Sequence, residues 1–66
     1  MVHVVFEHMN KEEKGKRVVI ELSHRKERFA EDWKNLVSFK LMRRTMKPVG
    51  VFETEQEAID FMGGEK

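Results

Sequence analysis

Three histidines, His3, His8 and His24, are the only imidazoles in the chain, and there is no cysteine. Imidazole can ligate a metal or move a proton, but both uses need a second group at the right spacing. His3 and His8 are five residues apart on a stretch that reads as a strand, so they face opposite sides and cannot chelate together. Glu7 shares the face of His3 but lies beyond Val5, too far for a tight pair without a third ligand. The hydroxyls Ser23, Ser38, Thr45 and Thr54 have no neighbouring base in sequence that would activate a nucleophile. Gly15, Gly50 and Gly63 stand outside any phosphate-binding loop motif. The sequence therefore predicts no catalytic residue, no metal site, no cofactor and no small-molecule substrate.

The residues left with chemistry to offer are cations. Arg25, Lys26 and Arg28 lie in "HRKER", and Lys40, Arg43, Arg44 and Lys47 lie in "KLMRRTMKP". Arginine's planar fork suits bidentate contact with phosphate. Cations in the first turn of a helix oppose its dipole, which favours carboxylates there. A break of a local rule is a reason to suspect function. The plainer readings are a helix that starts later, near Glu27, and a solvated hairpin turn at Lys40–Pro48. The last helical stretch is the opposite, with Glu53, Glu55, Glu57 and Asp60 and no base among them. Thirteen Lys and Arg against twelve Asp and Glu leave a net charge of +1, so any nucleic acid must be gripped by a local patch.

These side chains are expected on a single α+β domain covering residues 1–66, with a frayed tail at 63–66. Val2–His8 and Arg17–Ser23 read as strands of a hairpin, with Val2, Val4, Phe6, Val18, Ile20 and Leu22 inward. The period then changes. Phe29 and Trp33 step by four after a possible cap at Ser23, which predicts a helix over about 24–35 with Trp33 packed on Phe29. Val37, Phe39 and Leu41 alternate, which predicts a third strand over 37–43. The same residues also step by four from Trp33, so one long helix from about 24 to 44 is the alternative. Val49–Phe52 reads as an edge strand, because Pro48 cannot donate to a ladder. Thr54 and Glu57 form a capping box for a helix over about 55–62. The expected fold is ββαββα, a four-stranded, mainly antiparallel sheet with both helices on one face.

Such a sheet leaves one face open, with Val5, Val19 and Met42 at its apolar centre. That face is either half wet or the interface of a homodimer. It has no exposed aromatic residue for stacking on RNA bases. A small chain without disulfides has a thin stability margin, which favours self-association. No segment reads as a membrane span or signal peptide, and the lack of cysteine suits a reducing cytoplasm.

Gly50, Phe52, Thr54, Glu57, Ala58 and Phe61 resemble the ending of the AP2-like arm-binding domains of phage and transposon tyrosine recombinases. Other small β-β-α modules end similarly. The resemblance implies a sheet backed by a helix and a DNA partner. It covers cap and core positions only, and it carries no DNA-contact residue across. The sequence thus points to a non-enzymatic binding module for DNA or RNA. A homodimeric interaction or regulatory module without a nucleic-acid role is the alternative.

Overall fold

The structure is a computed structural model that describes residues 1–12 and 14–63. Its elements are β1 (Val2–His8), β2 (Arg17–Leu22), α1 (Lys26–Asn35), a 3-10 turn (Val37–Phe39), α2 (Lys40–Thr45), β3 (Met46–Phe52) and α3 (Glu55–Phe61). The strands form one antiparallel sheet in the order β2-β1-β3.

β1 is central, and its composition explains why. Val2, Val4, Val5 and Phe6 are all fully buried. Alternation would expose Val5, but a strand covered on both faces reads as a continuous apolar run. Val2, Val4 and Phe6 face a core built with Phe29 and Phe39, against which Val18, Ile20, Leu22, Trp33, Met42, Met46 and Val51 pack. Trp33 is half-buried and lies with its ring centroid 5.2 Å from both Phe6 and Phe39 and 5.9 Å from Phe29. The expected contact with Phe29 is present, inside a four-ring cluster.

The expected four-stranded sheet with two helices on one face is not what forms. Residues 37–43 are helical, not a strand. Only Phe39 of the alternating trio points inward, at 5% exposure, while Val37 and Leu41 are 80% and 73% exposed. The inward residues are Phe39, Met42 and Met46, spaced three and four apart, and Lys40, Leu41, Met42, Arg43 and Arg44 are all good helix formers. One continuous helix does not form either. Leu36 is extended (φ −73°, ψ 133°) and breaks the rod between α1 and the 3-10 turn. With the third strand gone, Lys40–Pro48 is not a hairpin.

The face expected to be open is covered. α3 packs on the side of the sheet away from α1 and α2. Ala58 is fully buried there, as is Val5. Val5 pairs with Gly50. A Cβ on Gly50 would lie 2.7 Å from the Phe52 ring and 3.3 Å from that of Phe61, so the glycine makes room for both rings across β3. The capping box of α3 is present: Glu57 N donates to Thr54 Oγ1, and Thr54 N donates to Glu57 Oε1, both at 3.2 Å. α1 begins later than expected, with Arg25 and not Ser23 at its cap and no side-chain bond there.

β3 is an edge strand, as its proline requires. The β1–β3 register runs Val5 to Gly50 and then Phe6 to Pro48, so Val49 is the extra residue of a bulge beside the missing donor. Part of the expected frayed tail, residues 64–66, lies outside the described residues.

Candidate nucleic-acid interface

The sheet has two ends, and the fold sorts the cations between them. Val2, Leu22 and Phe52 mark one end, and His8, Arg17 and Met46 mark the other. Arg25, Lys26 and Arg28 follow Leu22 at the first end, and all three are exposed. Glu27 and Glu53 line the same shallow recess as Arg25, Lys26 and Met1, so this group of cations sits among carboxylates. Arg17, at the second end, is paired with Glu7 at 3.5 Å and stands over the Phe61 ring at 5.7 Å.

Four expected site residues lie on α2 or just beyond it, and they differ in role. Arg43 Nη1 donates to Trp33 O at 2.6 Å and to Leu36 O at 2.8 Å. It therefore satisfies the Trp33 carbonyl, which the end of α1 leaves without an intrahelical donor, and adds a second bond to the Leu36 carbonyl, which also accepts from Phe39 N. Its charge closes α1 and joins α1 to α2. Arg44 and Lys40 are exposed and four residues apart on one side of α2. Lys47 is exposed on β3, opposite Glu7.

The topology adds cations that sequence reasoning passed over. Met9 N donates to Thr45 O at 2.9 Å, and His8 pairs with Met46. The β1–β2 loop is therefore held against the α2–β3 junction. That loop carries Lys11, Lys14 and Lys16, all exposed, at the same end of the sheet as Arg44 and Lys47. In sequence the three lysines are interleaved with Glu12 and Glu13, and the stretch reads as a neutral connection. Only the pairing of distant segments gathers them with α2.

Val5 and Val19 are cross-strand partners on one face of the sheet, and Met42 is not on that face. Val5 is buried beneath α3, Val19 is half-buried on β2, and Met42 packs into the aromatic core on the opposite side. Only the placing of Met42 with them rests on the third strand that does not form. His24 Nδ1 donates to Asp32 Oδ2 at 3.0 Å, and its ring lies 5.3 Å from that of Phe39. The pair fastens the loop before α1 to the body of the helix. His3 stands 3.9 Å from Glu21 across the β1–β2 pair. Among the described residues no group of three or more His, Asp or Glu is placed to hold a metal ion. No helix among them is long and apolar enough to cross a membrane.

No family model, no curated protein and no solved structure matches this chain. The resemblance of residues 50–61 to arm-binding domains stands on those residues alone.

Proposed function

We propose that the chain is a small non-enzymatic binding module of a reducing, cytoplasmic compartment that grips a nucleic-acid backbone with the His8 end of its sheet. The contact residues are Lys11, Lys14, Lys16, Lys40, Arg44 and Lys47. The observation that supports this reading is the bond from Met9 N to Thr45 O at 2.9 Å, which holds the lysine loop beside the α2–β3 junction. Cations brought together from three segments can track phosphates, whereas a neutral total charge cannot. None of these six residues is aromatic, and their side chains fit phosphates better than base edges, so the expected binding is weakly sequence-dependent.

A salt titration with duplex and single-stranded DNA tests the reading. On duplex, the logarithm of affinity falls with the logarithm of salt at a slope of about −0.9 per phosphate contact. Arg44→Ala and Lys47→Ala each lower that slope by about one contact, and Arg25→Ala leaves it unchanged. Absence of binding at low salt removes the proposal.

A second reading is supported by Val37 and Leu41. They lie a turn apart at 80% and 73% exposure, with half-covered Leu36 beside them and Lys40 and Arg44 at the rim. Such a patch suits an acidic, amphipathic protein segment. A complex that persists at high salt and is lost in Leu41→Ser favours this reading. Self-association remains part of the proposal, through a surface other than the Val5 face.

A further inference from the structure

We propose that two copies of this chain pair antiparallel through the outer edge of β2, about a two-fold axis at Val19. This joins two three-stranded sheets into one of six strands, whichever ligand the cationic end takes.

β2 has β1 on one side and, among the described residues, no strand on the other. The direction of its backbone groups follows from the hairpin. His8 N donates to Lys16 O at 2.8 Å, and the register sets Phe6 opposite Val18 and Val4 opposite Ile20. Hydrogen-bonded and non-hydrogen-bonded pairs alternate along an antiparallel ladder. Lys16, Val18, Ile20 and Leu22 therefore turn their N–H and C=O groups toward β1. Arg17, Val19 and Glu21 turn theirs to the open edge. Natural edge strands are blunted by proline, bulges or cover. β3 has Pro48 and a bulge, but β2 has no proline, no glycine and an unbroken register.

The side chains say what fits that edge. In an antiparallel pair centred on Val19, the three residues that bond outward meet each other. Arg17 lies opposite the second copy's Glu21, Glu21 opposite its Arg17, and Val19 opposite itself. Val18 meets Ile20 on the other face, beside the aromatic core. Centring the axis on Val18 or Ile20 instead sets Val19 against Arg17 or Glu21. Only the Val19 register matches charge with charge and apolar with apolar, which is the self-complementarity that a two-fold interface needs. The side chains of Arg17 and Glu21 are 42% and 52% exposed, and their present partners, Glu7 and His3, lie on the β1 side. The paired sheets would carry a row of alternating sign, from His3 and Glu21 to Arg17 and Glu7 of the second copy. Val18, Val19 and Ile20 are half-buried, and pairing covers what remains.

Sedimentation and amide exchange on the full chain test the pairing. The wild type is expected to be a dimer at the concentrations used for NMR. The amides of Arg17, Val19 and Glu21 gain protection as concentration rises, while those of Val18 and Ile20 are protected throughout. Arg17→Glu and Glu21→Arg each set like charges opposite twice and weaken the dimer by about tenfold or more. Mixing the two variants restores opposite charges at both contacts and returns the dimer as a heterodimer. A wild type that stays monomeric overturns the proposal. So does a dimer whose Arg17, Val19 and Glu21 amides exchange freely, or a folded pair of variants that mixing does not rescue. If either variant fails to fold, the wild-type amide pattern decides alone.

Discussion

Arg43 and Arg44 are adjacent and carry the same charge, and the fold gives them separate roles. Arg43 closes the end of α1 through two carbonyls, while Arg44 points to solvent. Hydrogen bonds to a charged group contribute more than neutral ones, so Arg43→Ala is expected to destabilise the fold by about 1–3 kcal/mol. Arg44→Ala should change stability by no more than about 0.5 kcal/mol, as exposed substitutions usually do. Urea unfolding of the two variants measures the difference, and equal effects would contradict the assignment. Gly50 yields a second expectation at this scale. An added methyl must displace the Phe52 ring, which would lie 2.7 Å away. Overpacking of this kind costs about 1–3 kcal/mol, so Gly50→Ala should lower the melting temperature although the strand itself tolerates alanine. Neither role is visible in the sequence. Arg43 and Arg44 look alike there, and Gly50 is simply one residue of the expected strand Val49–Phe52.

At the scale of elements, the sequence reads well where one local rule acts alone and poorly where two compete. Thr54 and Glu57 form a capping box at fixed spacing, and the helix begins where that spacing says. The β1–β2 hairpin follows from valine-rich runs on either side of a polar loop. In Val37–Met42, apolar residues satisfy both a period of two and a period near four, and the pattern alone does not choose between them. The propensity of Lys40–Arg44 for helix decides the outcome. The expected test is in backbone chemical shifts. Residues 26–35 and 40–45 should be helical with an interruption at Leu36, and strand shifts at 39–43 would contradict the topology. The Val4-Val5-Phe6 run was the available sign that the sheet is covered on both faces. It is easily missed, because small antiparallel sheets commonly keep one wet side.

The charge pattern belongs to the whole molecule. The sequence shows a basic middle and an acidic end, which suggests that Arg25, Lys26 and Arg28 act together with Arg43 and Arg44. The fold instead places the first group at one end of the sheet, among Glu27 and Glu53, and Arg44 at the other, with the lysine loop. Which cations share a surface is set by strand order and by the return of the chain through α2, neither of which leaves a mark in local spacing. The proposed interface therefore depends on where the cations lie more than on how many there are. It is tested most directly by the salt dependence of duplex DNA binding for two double variants, Lys14→Ala with Lys16→Ala and Arg25→Ala with Lys26→Ala. The loop variant is expected to lose up to about two contacts from the log–log slope, roughly 0.9 each, while the α1 variant keeps the wild-type slope. A wild type that does not bind at low salt, or a slope that falls in the α1 variant and not in the loop variant, would contradict the account.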